Sequence, residues 1–401
     1  MPAQKGETWN ESEVYRDAWT LREVRRVTTQ GLSNQTPTYH TNITFSEDGD
    51  YFIFASERDG HSAIYRAHTP TGDITALIEP TPGMGSFDSM HKANGVAVGN
   101  GEGIYGTTMC MAPRSGWAVY SVGRSIRAVH IHTLEERILV PDIGAEWLHG
   151  VLSIDPTETY VITALMSAHP EIAAGQRPTR PYMEHFADGS MKLRIIQVPL
   201  AGGEVQTIYQ ESGCSSAHSP HCPTDPDLVL IDRDFPPRFW GGSDGKTNRI
   251  WTLRLSTGQL TELPPQDEAR FQVHSGWTWD GDHVLYHGRS AIRGHYIGLI
   301  DQQGQTVREY AFRDAPHYGH VASMAGRPAI ILDGNLTTDM LLWLYYDSDQ
   351  PRIEVIARHG TDWGALPGQY PHPHPVSDSH GQWIVFNRGE RGRTDVCVVK
   401  V

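Results

Sequence analysis

The sequence predicts an all-β fold, a seven-bladed β-propeller. Glycine (40 residues) and proline (26 residues) recur along the whole 401-residue chain, and long helical periodicity is nearly absent. A unit of roughly 40–50 residues repeats instead, which is the spacing typical of propeller blades. Each unit reads as short strands that are separated by turn dipeptides such as Asp-Gly and Thr-Gly.

The clearest copy of this unit runs from Phe45 to Leu77, with turns at Asp48-Gly49 and Thr71-Gly72. Seven units start near residues 40, 86, 150, 217, 274, 319 and 372. No linker separates them, so we expect a single domain over residues 1–401. A segment of about residues 168–189, rich in proline and histidine, interrupts the third unit. We predict that this insertion forms a lid or a loop at the rim.

The last unit has only about three strands before the chain stops at Val401. The N-terminal segment of about residues 14–29 contains a spare strand, Glu23–Thr28. We predict that this segment completes the last blade, because pairing the two ends of the chain closes the ring and removes open sheet edges.

The charge of the chain limits its partners. It carries 33 Lys and Arg against 47 Asp and Glu, a formal net charge of −14. This excess of negative charge argues against a nucleic-acid binder and against binding to anionic membranes. A small acidic ligand is still compatible, because salt screens the bulk field over about 10 Å and a few local arginines can outweigh it. The oligomeric state is left open.

Four cysteines, Cys110, Cys214, Cys222 and Cys397, form no CxxC pair. We expect free thiols in a reducing compartment, with a Cys214–Cys222 disulfide as the alternative. The first residues are polar, and no apolar run approaches the length of a membrane span. The sequence therefore predicts a cytoplasmic protein, with an exported protein that lacks its signal segment as the alternative.

The segment Gln369–Pro375 (QYPHPHP) is the first candidate site. The prolines hold the backbone extended, so His372 and His374 point the same way, and Gln369 can fold in beside them. Imidazole nitrogens and an amide oxygen suit a divalent metal ion. In a chain with 21 histidines, however, such a spacing also arises by chance.

Histidines also open the preceding units: His218 opens the fourth, His274 the fifth and His320 the sixth. Equivalent positions of propeller blades converge on the central axis, so these side chains should approach the His372–His374 loop. This pattern favours the metal site. The alternative is that repeated histidines cap turns or satisfy hydrogen bonds in the core.

Four stretches resemble the corresponding signatures of the oligogalacturonate lyases: Arg249–Trp251, His274–Gly281, His320–Gly334 and Gln369–Pro375. The resemblance runs over most of the chain, and the QxxHxH element is its most specific part. It implies a seven-bladed propeller that cleaves short galacturonides by β-elimination at a manganese site. It also implies that the metal is held by His320, Gln369, His372 and His374, that His274 is the Brønsted base, and that Arg249 binds the uronate.

The chemistry of β-elimination agrees with these roles. The C5 proton of a uronate is weakly acidic, so a cation and an arginine near the C6 carboxylate would help to stabilise the anion that forms on its removal. A histidine that is neutral near pH 7 can take the proton. Imidazole and amide ligands admit Mn²⁺, Fe²⁺, Ni²⁺ or Zn²⁺, of which the resemblance favours Mn²⁺.

Three further residues have two interpretations each. His218 is either a substrate contact on the wall of the funnel or a structural histidine. Arg233 is a candidate for binding another substrate carboxylate, or a solvated surface residue. Trp277 either forms a sugar-stacking surface or belongs to the core.

The sequence therefore predicts a lyase for a small acidic oligosaccharide, namely short pectin fragments. A lyase for another uronate, such as an ulvan-type or glucuronate-containing oligosaccharide, would need the same core chemistry. A non-catalytic TolB-like propeller that serves as a binding module is the second alternative.

Overall fold

The chain forms seven antiparallel sheets, the blades of an all-β propeller, which confirms the predicted fold class. The structure is a computed structural model that describes residues 3–37, 43–83, 103–104, 106–168, 170–174, 176, 179–180, 182–214, 218–233, 249–263, 271–290, 294–312, 319–334, 338–366 and 370–401. Two of the seven positions at which a repeat unit was predicted to begin, near residues 40 and 86, lie outside these ranges. The other five lie within or next to them.

The chain begins with three short strands that are later shared between the first and the seventh sheets: β1 (Thr8–Asn10), β2 (Glu13–Arg16) and β3 (Glu23–Arg26). The first sheet contains β1 together with β4 (Ser33–Gln35), β5 (Tyr51–Arg58), β6 (His61–His68), β7 (Asp73–Ala76) and β8 (Thr81–Pro82). The second contains β9 (Met109–Ala112), β10 (Trp117–Val122), β11 (Ser125–His130) and β12 (Glu136–Val140), and the third contains β13 (Trp147–Ile154), β14 (Tyr160–Ser167), β15 (Lys192–Pro199) and β16 (Gln206–Ser212).

The remaining sheets continue this order. The fourth contains β17 (Leu228–Asp232), β18 (Ile250–Arg254) and β19 (Gln259–Glu262), and the fifth contains β20 (Phe271–Trp277), β21 (His283–Ser290), β22 (Gly294–Asp301) and β23 (Thr306–Phe312). The sixth contains β24 (Val321–Ser323), β25 (Ala329–Leu332), β26 (Met340–Tyr345) and β27 (Arg352–Arg358), and the seventh contains β28 (Val376–Ser377), β29 (Trp383–Glu390) and β30 (Arg393–Lys400) with β2 and β3. The described helices are short: a 3-10 turn at Gly106–Thr108, α1 (Pro170–Ala173) and α2 (Tyr182–Ala187).

The turn between the first and second strands of a blade is built around an aspartate. In the third sheet, Asp155 Oδ1 accepts the backbone N–H groups of Thr159 and Tyr160, both at 2.7 Å. In the seventh sheet, Asp378 Oδ1 accepts those of Gln382 and Trp383, at 2.7 and 2.9 Å. A short acceptor side chain that binds backbone amides a few residues ahead stabilises such turns, which explains why an aspartate occupies the equivalent position in both blades.

The apolar core lies between neighbouring sheets. From the second sheet to the seventh, a separate cluster of buried residues lies between each sheet and the next. One further cluster is shared by the seventh, first and second sheets. Strands with both faces covered are therefore largely apolar, as in β17, where the first four of the five residues are Leu, Val, Leu and Ile. Trp277 belongs to the cluster between the fourth and fifth sheets and donates its indole N–H to Pro220 O, so its core interpretation is correct.

The N-terminal strands join two sheets that are remote in sequence. β3 pairs with β30 through Val24↔Val399, and Val24 is fully buried. β1 pairs with β7 of the first sheet. The expectation of a single domain over the whole chain stays a prediction.

The segment predicted as an insertion carries α1 and α2, which lie between β14 and β15. Its role as a lid stays a prediction. All four cysteines are buried free thiols, so the alternative disulfide is not formed. Within the described residues, no helix has the length and apolar character that crossing a membrane requires.

Candidate metal centre and active site

Four of the predicted site histidines lie together, within or just before the first strands of the fifth, sixth and seventh sheets. The His320 ring centre is 4.5 Å from that of His274, 5.3 Å from that of His372 and 4.1 Å from that of His374. His274 lies within β20, His320 precedes β24, and the other two precede β28. The predicted convergence of equivalent blade positions is thus seen for these three sheets.

Three of these histidines form a group that could hold a metal ion. One nitrogen from each of His320, His372 and His374 lies within 4.8 Å of the other two. The Nε2 atoms of His320 and His374 are 3.1 Å apart. Two nitrogens bound to one transition-metal ion at about 2.0–2.1 Å would be separated by about 3 Å, so this spacing fits a shared cation. Gln369, the fourth predicted ligand, lies outside the described residues.

The His320 ring is held in place by Asp333. Asp333 Oδ2 is 2.7 Å from His320 Nδ1, and Asp333 Oδ1 accepts the backbone N–H of His320 at 2.8 Å. Both residues are almost completely buried. A carboxylate behind a histidine fixes the ring orientation and directs the other nitrogen towards a metal, which is the usual second layer of a metal site.

The loop that carries His372 and His374 is fixed from two sides. Asn387, on β29, donates its backbone N–H to Pro373 O at 2.7 Å and its side-chain amide to His372 O at 3.3 Å. Gln35, on β4 of the first sheet, donates to Tyr370 O at 3.1 Å. The loop conformation therefore depends on residues of both the last and the first sheets.

His274 occupies an unusual backbone position. It lies in a bulge of β20, where the pairing with β21 shifts between Val273 and Gly276, and its φ angle is 53°. Such a left-handed φ is uncommon for residues other than glycine and is frequent at functional sites. Its Nδ1 atom is 2.7 Å from Nε2 of His287, a buried residue of β21. The bulge and this contact together fix the position of the imidazole.

Arg249 is buried and bound to a buried carboxylate. Its Nε donates to Asp232 Oδ1, while Asp232 Oδ2 accepts the backbone N–H and the hydroxyl of Ser275 at 2.9 and 2.7 Å. Burial would raise the pKa of Asp232, but the charge of Arg249, the nearby His218 and the bonds from Ser275 hold that pKa below its usual value. Because Ser275 follows His274, Asp232 connects the arginine to the backbone of the predicted base.

We expect Asp232→Asn to lower the free energy of unfolding by about 3–5 kcal/mol, because it removes the carboxylate that pairs with the buried Arg249 charge. The folded pKa of Asp232 lies below its ordinary value, so its stabilising effect is complete above pH about 4 and is lost as the pH falls further. Denaturant unfolding, followed by tryptophan fluorescence, should therefore show a constant deficit between about pH 5 and 8 and a smaller one below about pH 4. Asp282→Asn, at an exposed turn, is the control. Equal stability of the two variants at pH 7 would contradict this account.

The structure places the two predicted substrate-binding residues next to this aspartate. His218 is 2 % exposed and forms a β-bridge with Asp232. Arg233 donates to Glu211 at 2.5 Å and to Cys214 Sγ at 3.3 Å, and its guanidinium lies 5.8 Å from the centre of the Trp251 ring. The alternative of a solvated surface arginine is wrong, since Arg233 is 2 % exposed. Substrate binding by both residues stays a prediction.

Four residues that hold the site in place were not predicted from the sequence. They share one position, at or near the end of the apolar strand that follows the histidine-bearing start of a blade: Asp232, His287, Asp333 and Asn387. The signal is a polar residue after Leu-Val-Leu-Ile, Val-Leu-Tyr, Ile-Ile-Leu or Ile-Val-Phe.

No protein-family model matches the chain. The oligogalacturonide lyase of Pectobacterium atrosepticum is 23 % identical to it in an alignment of 410 positions that covers 97 % of this chain and 95 % of that protein. The similarity to an oligogalacturonide lyase thus extends over nearly the whole of both chains. The resemblance that the QxxHxH element and its neighbours indicate is thereby confirmed.

Two solved oligogalacturonate lyase structures have the same fold. An oligogalacturonate lyase in complex with manganese superposes with a TM-score of 0.77 at 20 % identity, over 100 % of this chain and 98 % of that one. The oligogalacturonate lyase of Vibrio parahaemolyticus gives a TM-score of 0.77 at 18 % identity, over 99 % and 98 % of the two chains. At these identities, the superpositions establish the shared propeller fold.

Proposed function

We propose that this protein is a metal-dependent lyase that cleaves short oligogalacturonides by β-elimination. The observation that carries the proposal is the convergence of three histidines of a possible metal site with a fourth, His274, whose ring lies 4.5 Å from that of His320. The full-length relationship to an oligogalacturonide lyase supports the same conclusion. A small acidic oligosaccharide is therefore the expected substrate, and pectin fragments are its expected source.

In the proposed reaction, His274 takes the proton from C5 of the uronate. The C4–O4 bond then breaks, a C4–C5 double bond forms, and the departing sugar keeps O4, which gains a proton from water. Arg249 neutralises part of the charge on the C6 carboxylate through its guanidinium. Asp232 holds Arg249 and Ser275 together, so the arginine and the backbone of the base keep a fixed spacing.

His320, His372 and His374 would hold the metal ion, with Gln369 as the proposed fourth ligand. A divalent cation bound there would supply Lewis-acid polarisation of the C6 carboxylate. We propose Mn²⁺, because a solved relative is a complex with manganese, and because imidazole ligands accept it along with Fe²⁺, Ni²⁺ and Zn²⁺. Elemental analysis of the purified protein identifies the ion.

The decisive assay is the near-ultraviolet absorbance of the new C4–C5 double bond. We expect absorbance to rise when the metal-loaded protein meets di- or trigalacturonate, to stop rising after a chelator is added, and to resume when Mn²⁺ is restored. New reducing ends without absorbance would indicate a hydrolase. The absence of product from every oligouronide tested, with metal bound in stoichiometric amount, would refute the lyase proposal.

The same assay separates the remaining alternatives. A lyase for another uronate would give the chromophore only with glucuronate- or iduronate-containing oligosaccharides, such as ulvan-type fragments. A non-catalytic TolB-like binding module would contain no stoichiometric metal and would not change in stability when a chelator is added.

A further inference from the structure

His287 is a buried residue that makes a direct contact with the proposed base. It is 2 % exposed, and its Nε2 atom is 2.7 Å from Nδ1 of His274. The two ring centres are 4.9 Å apart. β21 is a central strand that pairs with β20 and β22, and His287 itself is opposite Val273 and Ile297. Its backbone is therefore held on both sides.

A hydrogen bond between two neutral imidazoles needs one N–H and one lone pair, and each neutral ring has only one N–H. If His274 carries its proton on Nδ1 and donates it to His287, the lone pair of His274 Nε2 is available to accept a proton from substrate. In the other tautomer, Nε2 carries the proton and the ring cannot act as a base through that atom. The direction of this hydrogen bond therefore decides whether His274 can work.

We propose that His287 is the positioning residue of the base: it accepts the Nδ1–H of His274, fixes the tautomer with a free Nε2, and sets the rotation of the ring. The inference rests on the proposed function, in which His274 takes the C5 proton. His287 acts through His274 and does not itself contact the substrate.

The neighbouring blade uses the same arrangement for a different purpose. Asp333, on the loop that follows the second strand of the sixth sheet, is 2.7 Å from Nδ1 of His320, and it accepts the His320 backbone N–H as well. In both blades, a buried residue contacts Nδ1 of the histidine near the start of the blade. This residue lies on the second strand in the fifth sheet (His287) and just after the second strand in the sixth (Asp333). One contact prepares a metal ligand and the other prepares the base. The same geometry thus occurs in two neighbouring blades, at the two rings to which we assign a function.

The test compares His287→Met with His287→Gln in the metal-loaded protein. Methionine fills a similar volume but offers only a weak acceptor, whereas the glutamine carbonyl can accept the Nδ1–H. We expect kcat to fall by about 10²- to 10⁴-fold in His287→Met, because the wrong tautomer becomes accessible, and to stay within about tenfold of wild type in His287→Gln. KM and metal content should change little in either variant.

A purely structural role would lower stability, metal content and kcat together, without rescue by glutamine, and that result would overturn the proposal. Normal kcat in His287→Met would also overturn it. If wild type gives no unsaturated product, the proposed function itself fails, which is a distinguishable result. His283→Ala, at the far end of the same strand, controls for changes in β21.

A measurement on wild type keeps the proposal testable if His287→Met does not fold. Histidine ¹⁵N spectra of the zinc-loaded protein report the tautomer of each ring, and the His274 signals are assigned by their loss in His274→Asn. We expect protonated Nδ1 and unprotonated Nε2 at His274. The opposite tautomer would refute the role of His287.

Discussion

Replacing His274 should reduce turnover of oligogalacturonides by about 10²- to 10⁴-fold and leave the metal bound. The residue lies outside the group of three possible ligands, so its loss should not release the ion. Its φ of 53° makes the choice of variant important, because alanine would add backbone strain there. Asparagine tolerates a left-handed backbone and can still bond to His287, but it cannot take a proton.

His274→Asn is therefore the cleaner test, and His274→Ala should be equally inactive but less stable. Turnover is measured by product absorbance and metal content by elemental analysis, with His283→Ala of the same sheet as the control. Near-normal turnover in His274→Asn would show that another group takes the C5 proton.

Replacing His372 by alanine should release the metal and abolish turnover with it. His372 is one of the three converging histidines and is not among the residues with positive φ, so alanine changes the ligand set without backbone strain. Loss of an outer partner of a metal ligand typically costs about 10–100-fold in affinity, and loss of a ligand itself should cost more than about 100-fold.

Metal content after dialysis and a direct titration with Mn²⁺ measure this effect. His380→Ala, at an exposed turn of the same sheet, should bind metal and turn over like wild type. Full metal occupancy and normal turnover in His372→Ala would place the metal elsewhere. His374 is a poorer position for this test, since its φ of 42° would add strain to any alanine variant.

The fold could be predicted because its signals are local. An aspartate turn such as the one at Asp378 sets the boundary between two strands within a few residues, and it recurs in other blades. The grouping of His320 with His372 and His374 could also be predicted from the sequence, because equivalent positions of repeated blades converge on the axis whatever the exact register of their strands.

The supporting residues could not be predicted from a single stretch of sequence. The contact between His287 and His274 depends on the register of β20 against β21 and on the bulge after Val273, and neither has a clear local signal. The partner of Arg233, Glu211, comes from the adjacent sheet and is separated by 22 residues. Inspection of the polar residues near the ends of second strands would have found Asp333 and His287 together.

The anchoring of the His372 loop has a consequence for the order of assembly during protein synthesis. The bond from Gln35 to Tyr370 joins residues 335 positions apart, and Thr36 binds Asn387 across 351 positions. The first residue of each pair leaves the ribosome long before the second. The loop therefore acquires its native shape only after the intervening strands have been made, so that capture of the proposed metal ion becomes a late step of folding.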